Sequence, residues 1–362
     1  MSGLTADVSA LGAVPGVDCG PLVTAAIARG ARDIFYPPGL WTQNNVDLTG
    51  HGTTTRISVR GVSPASTSII TSVAGASVFM FIPPIAQEAF IDISGLELIN
   101  GPGQPNNSQS GYGIVVVGPV GTEIGKGNYR NLWGKNFARM LNFERHNSAH
   151  INGVISEYCT TAVAAIDCGD LELIGVNVYQ GNGAAIWIAG TPAGQANHMA
   201  EGARITSCSS NTQKVGIVVE SYNFVHMTTS SFSTCSNYAL YLDNVSDMTI
   251  VGGEYQNIGD IAMAVSPTCH RIRMFGAFPY GSGRGLVLAG SNHSIHGLHG
   301  VGNIGPDITL SATDCDIVGG QLLSVGAVQS LLEIAPAARN KITSMKAVRN
   351  VVLIPGNGSV LS

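Results

Sequence analysis

The sequence predicts an all-β solenoid of about ten stacked coils. Three observations carry that expectation: one pattern recurs every 22 to 24 residues apart from one longer interval between 172 and 204, glycine is abundant, and charge is scarce. Gly supplies 46 of 362 residues, about 13% against a usual ~7%, while charged residues fall to 11% against ~25% in an ordinary globular chain. Lys and Arg total 18 against 23 Asp and Glu, a formal net charge of −5. That balance excludes a polybasic nucleic-acid binder, a charged disordered chain and a coiled coil. A 44% hydrophobic content rich in Val, Ile and Ala suits many short strands joined by tight turns.

The repeat runs through HINGVISEY (150 to 158), ELIGVNVYQ (172 to 180), RITSCSSNT (204 to 212), HMTTSSFST (226 to 234), TIVGGEYQN (249 to 257), RIRMFGAFP (271 to 279), SIHGLHGVG (294 to 302) and DIVGGQLLS (316 to 324). Each unit turns into a second strand, such as AAIDC (164 to 168), IWIAG (186 to 190), IVVES (217 to 221) or LYLDN (240 to 244). Alternation with period two makes these strands, and the short period leaves no room for a helix. One coil cannot bury its own apolar face, so the coils must stack. Leu173, Ile205, Met227, Ile250, Ile272, Ile295 and Ile317 are expected to pile up inside, as are Phe143, Ile166, Ile188, Val219, Leu242, Val265, Leu288, Leu310 and Ile334. A β-propeller would need periods nearer 40 residues.

The N-terminal stretches LGAVPGVDCG (11 to 20), TAAIA (24 to 28) and IFYPPGLW (34 to 41) resemble the start of right-handed parallel β-helix proteins of the pectate-lyase-like superfamily, phage tailspike depolymerases among them. The match departs where the family has paired Asp residues, since only Asp18 is present. The resemblance implies a single-stranded right-handed parallel β-helix with a short N-terminal capping helix, the helix covering strand edges at the open end. It also implies a bacterial surface polysaccharide as partner, a homotrimer and a place among virion tail proteins, made in the host cytoplasm. It transfers no catalytic residue. No linker is visible. Residues 1 to 45 read as the cap, 46 to 335 as the solenoid and 336 to 362 as a last coil and tail, with a loop projecting at 101 to 111.

No basic residue precedes Arg29, so a secretory signal is not expected. The apolar stretch at 69 to 86 is broken by Gly75 and Pro83, so no membrane span is expected. Seven cysteines without CxxC spacing point to neither a disulfide framework nor a zinc site and favour synthesis in a reducing compartment. No metal and no cofactor are expected. His293, His296 and His299 are spaced by three on an extended chain, which sends alternate side chains to opposite faces. The glycine pairs Gly252-Gly253 and Gly319-Gly320 lack a following helix and read as coil corners. The calcium used by pectate lyases needs an oxygen cluster that no stretch here supplies.

Chemistry is expected on the outward columns. Directly after the inward residue of the second strand stand Glu144, Asp167, Ala189, Glu220 and Asp243, and two places earlier stand Asn142, Ala165, Trp187, Val218 and Tyr241, continuing to Glu333. Glycan hydrolysis needs two carboxyl groups, about 5 Å apart for retention and about 6.5 to 9.5 Å for inversion. Asp167 and Glu220 are the expected inverting pair, with Glu144/Asp167 and Glu220/Asp243 as retaining alternatives. Trp187, Tyr241 and Asn142 are the expected sugar contacts. Solvent-facing acids also serve solubility and turns, which is the plainer account of any one of them. The first strand aligns His150, Glu172, Arg204, His226, Thr249 and Arg271. Arg204 and His226 suit eliminative cleavage of a uronic-acid polymer, while a salt-bridged ladder explains the same column. A purely structural or adhesive spike remains the third reading.

Overall fold

The computed structural model describes residues 4–49, 54–83, 88–101, 110–119, 124–191, 200–326 and 329–362. They group into two compact units, Met1–Ala200 and Glu201–Ser362. Most of the loop expected at 101 to 111 lies outside the described residues.

In the first unit, the strand Glu88–Asn100 alternates buried and part-exposed residues until Gly95, after which the alternation resumes one step out of phase. Gly95 has φ +68°, a left-handed conformation that costs glycine little, so the strand turns a corner without leaving the ladder. Lys126–Lys135, Ala149–Glu157 and Leu171–Tyr179 follow it in parallel. Their paired positions stack Ile93, Tyr129, Ile151 and Leu173 in one buried column. The opposing wall runs through Phe79–Phe81, Tyr112–Val117, Arg139–Glu144, Thr161–Ile166 and Ala184–Ala189. The helix at the N-terminus spans Gly20–Ala28 and packs Val23, Ala26 and Ile27 near Ala31–Phe35 and Val46–Asp47. Asp18 ties its start down: Oδ1 accepts the Gly20 N–H at 2.8 Å and Oδ2 accepts Asn44 Nδ2 at 2.9 Å.

The second unit repeats the plan. Glu201–Thr206, Asn223–Thr228, Thr249–Val251, Arg273–Phe275, Ser294–Val301, Asp316–Leu323 and Lys341–Thr343 form one parallel wall. Val215–Glu220, Tyr238–Asp243, Ile261–Val265, Arg284–Leu288, Ile308–Leu310, Gln329–Glu333 and Asn350–Val352 form the other. Val219, Leu242, Val265, Leu288 and Leu310 stack inside it as expected. At the corner of one coil a Cβ on Gly253 (φ +102°) would lie 2.8 Å from the Ser230 carbonyl oxygen, so only glycine fits there.

Three positions correct the expected columns. Ala165 replaces Ile166 beside Phe143 and Ile188, because every residue of Ala162–Ala165 is buried and the apolar run carries no phase information. Met274 replaces Ile272 beside Ile250, a shift of two that keeps the same face inward, and Arg271 instead bridges to Asp247 at 2.7 Å. Glu333 replaces Ile334 beside Leu310, leaving Glu333 3% exposed and Ile334 41% exposed. All seven cysteines are buried free thiols.

These assignments predict that Leu242→Ala costs about 2–5 kcal/mol and Ile334→Ala no more than about 0.5 kcal/mol, read by urea denaturation. Two buried imidazoles set an acid limit. His146 meets the Tyr129 hydroxyl at 3.1 Å, and His293 donates Nε2–H to the Ala289 carbonyl at 2.7 Å while Nδ1 accepts the Ile272 N–H at 3.1 Å. Burial pushes both down to about 4. The unfolded chain takes up these protons near pH 6.5 and the folded chain does not, so stability is full above that pH and falls toward pH 4. The expected loss is about 3 kcal/mol per histidine, and His293→Asn should flatten its share of the profile.

Candidate active site

On the second unit, Val215–Glu220 and Tyr238–Asp243 share one burial pattern, with two consecutive buried residues near the start. That irregularity turns Val215, Val218 and Glu220 outward on one rung and Tyr238, Tyr241 and Asp243 outward on the next. The ladder pairs Val215 with Tyr238, Val218 with Tyr241 and Glu220 with Asp243. Parallel neighbours of this kind are ~4.8 Å apart in the backbone, so the two carboxylates start from adjacent points on one wall.

The surroundings hold this group in place. Asp243 Oδ1 accepts the Ser266 hydroxyl at 2.6 Å and the Thr268 hydroxyl at 2.8 Å, and Thr268 Oγ1 accepts the Asn244 N–H at 2.9 Å. The Tyr238 and Tyr241 rings lie 5.4 Å apart at 33°. Partial burial, then the charges of Asp243 and Glu220, raise the Tyr241 phenol above its ordinary value, keeping a hydroxyl donor beside both acids. Ala264 occupies the position of Tyr241 on the following rung, so no bulky side chain crowds the ring from that side. The group thus combines two carboxylates, one of them oriented by two hydroxyls, with two half-exposed aromatic rings. Ser266 follows Asp243 in the outward column read from the sequence, but Tyr238 and Thr268 were not legible as members: Tyr238 stands three places from Tyr241, which simple alternation sends to the opposite face.

The first unit treats its candidates differently. Glu144 pairs with Ile166, not with Asp167. Asp167 follows that strand with φ +51° and is 8% exposed, and its two oxygens accept the backbone N–H and the hydroxyl of Thr191. The expected pairing of Glu144 with Asp167 on neighbouring rungs is therefore corrected by one residue, and the Asp167 carboxylate closes a turn. Asn142 is 3% exposed and its Oδ1 accepts a hydrogen bond from Arg139 Nη1 at 2.6 Å, so it braces Arg139. That guanidinium lies 4.9 Å from the centroid of Trp187. Trp187 is half-buried, two rungs from Asn142 with Ala164 between them.

On the other wall, His150 Nδ1 and Glu172 Oε2 meet at 2.8 Å in the first unit, as the ladder reading expects. In the second unit Arg204 pairs in register with His226 and both are exposed. Thr249 pairs with Arg273 in place of Arg271. His293 is buried, His296 bonds the Ser294 hydroxyl at 2.8 Å, and His299 is exposed. Among the described residues no helix is long and apolar enough to cross a membrane.

Solved structures share this architecture. Tailspike protein 3 of bacteriophage CBA120 matches over 99% of this chain with a TM-score of 0.64 at 13% identity. What these structures share with the chain is the parallel β-helix fold. The A-module of the Azotobacter vinelandii mannuronan C-5 epimerase AlgE4 matches at 0.56 and 14% identity, covering 98% of this chain and 99% of the module. DFA-IIIase of Arthrobacter chlorophenolicus A6, without its lid and in complex with GF2, matches at 0.58 and 12% identity, covering 99% and 98%. The chain spans 61% of the length of the tailspike. No protein-family model matches the chain, and no curated protein matches it in sequence.

The turn assignment of Asp167 predicts that Asp167→Asn and Thr191→Val each lower stability by about 1–3 kcal/mol, measured by urea denaturation.

Proposed function

We propose that the protein binds a bacterial surface polysaccharide and cleaves it by retaining glycoside hydrolysis, with Asp243 as nucleophile and Glu220 as acid and then base. The observation that carries this reading is the register pairing of Glu220 with Asp243 beside Tyr241, whose phenol feels both charges. Adjacent rungs supply the spacing of about 5 Å that retention requires. Tyr238 and Tyr241 offer flat apolar faces to a sugar ring. The hydroxyls of Ser266 and Thr268 hold Asp243 for attack on the anomeric carbon. As that bond forms, Glu220 gives its proton to the departing glycosidic oxygen, and it later takes one from the water that opens the glycosyl ester.

The likeness to a phage tailspike supports a place in a virion tail, assembled as a homotrimer with other tail proteins. A second reading, elimination from a uronic-acid polymer, draws on Arg204 and His226, which are adjacent in register and exposed.

The test is incubation with capsular polysaccharides and lipopolysaccharides, followed by mass spectrometry and proton NMR of the released ends. Hydrolysis with retained anomeric configuration is expected. Glu220→Gln should slow cleavage about 10²–10⁴-fold, and Asp243→Asn should abolish it with unchanged melting. Ultraviolet-absorbing unsaturated ends, lost in Arg204→Ala, would favour elimination. Release of no ends from any glycan would favour an adhesive spike.

A further inference from the structure

A second feature of the first unit has the make-up of a ligand site. The loop from Gly61 to Ser66 folds over the strand corner at Gly95, where a Cβ would lie 2.8 Å from the Gly61 carbonyl oxygen. Side-chain and backbone bonds fix this loop: the Ser63 carbonyl accepts the N–H groups of Ser66 and Thr67 at 3.1 and 2.9 Å, and the Ser63 and Ser66 hydroxyls meet at 2.9 Å. Between the loop and the next two corners lies a concavity of about 340 Å³ bounded by Val62, Ser63, Asn131, Trp133 and Ile155. Its size falls at the lower end of small-molecule sites.

Trp133 gives the site its chemistry. The ring is pinned by Lys135, whose Nζ stands 3.8 Å from the ring centroid. Its Nε1 is buried and meets no acceptor among the described residues, so the part of the ring open to the concavity is apolar. Val62 and Ile155 are 57% and 38% exposed, an apolar surface of the kind a sugar's C–H face covers. The exposed Asn131 amide and the Ser63 hydroxyl add polar groups for sugar hydroxyls. Charge narrows the choice. Lys135 bridges Glu97 at 2.9 Å and Glu157 at 3.8 Å, so two carboxylates meet one ammonium beside the ring and the rim disfavours an anionic sugar.

We infer that this concavity is a second glycan-binding site, shaped for one neutral hexopyranose unit whose C–H face lies on the open surface of Trp133, Val62 and Ile155. The choice of a sugar over another neutral ring rests on the proposed function. The three tryptophans give three indole N–H signals in a ¹H–¹⁵N spectrum, and Trp133→Phe identifies the one at issue. Titration with D-glucose, D-galactose and D-mannose should move that signal saturably with at least one of them. D-glucuronate should leave it in place, and Ile155→Glu should weaken the response at least tenfold. A Trp133 signal indifferent to all three hexoses, or moved equally by glucuronate, overturns the inference. The shift should persist in Glu220→Gln and Asp243→Asn. Cleavage without the shift therefore defeats this inference alone, and the shift without cleavage defeats the hydrolysis reading alone.

Discussion

Backbone hydrogen bonding between parallel coils is the constraint from which the rest follows. Each rung donates to and accepts from its neighbours, so residues at equal places become vertical neighbours at ~4.8 Å. Inside a unit this turns one apolar position per coil into a column such as Val219, Leu242, Val265, Leu288 and Leu310, all at most 3% exposed. Outside, the same ladder gathers residues distant in sequence without asking anything of their side chains. Glu220 and Asp243 are neighbours because their backbones pair, and Arg271 reaches Asp247 for the same reason.

Polar groups that enter the core show how strictly it must be satisfied. Glu333 sits in the column below Leu310, and its oxygens accept Asn340 Nδ2, Asn357 Nδ2, the Ile354 N–H and the Ser359 hydroxyl at 2.6–2.9 Å. Burial works to raise this carboxyl, but the four donors prevail and hold it below its ordinary value. The last residues of the second unit are thus tied to a buried charge. Asp307 is the contrary case: burial dominates over the Asn303 and Ser324 bonds and its carboxyl is pushed up.

The coil pattern, the inner columns and the N-terminal helix were legible because period-two alternation interrupted at fixed intervals has few other structural meanings. Phase was lost where composition carried none. Thr161–Ile166 reads as an apolar run, so nothing in it told Asp167 from Ile166 as the partner of Glu144. At 331 to 336 the polarity of Glu333 argued for an outward place, and only donors from further along the chain, Asn340, Ile354, Asn357 and Ser359, make the inward one tolerable. Within the candidate site, Glu220, Asp243 and Tyr241 were legible by column. Tyr238 was hidden by the paired buried residues Ala239 and Leu240, and the Trp133 concavity by its dependence on a loop from an earlier coil.

The account stands on the vertical pairing of Glu220 with Asp243 as a catalytic distance. The most direct measurement is a crystal structure of the Asp243→Asn protein with an oligosaccharide that the parent cleaves. The account predicts about 5–5.5 Å between the carboxyl carbon of Glu220 and the amide carbon at 243, a glycosidic oxygen within hydrogen-bond reach of Glu220, and a sugar ring on Tyr238 or Tyr241. A separation beyond about 9.5 Å, or an oligosaccharide whose scissile bond lies against other residues, would contradict it.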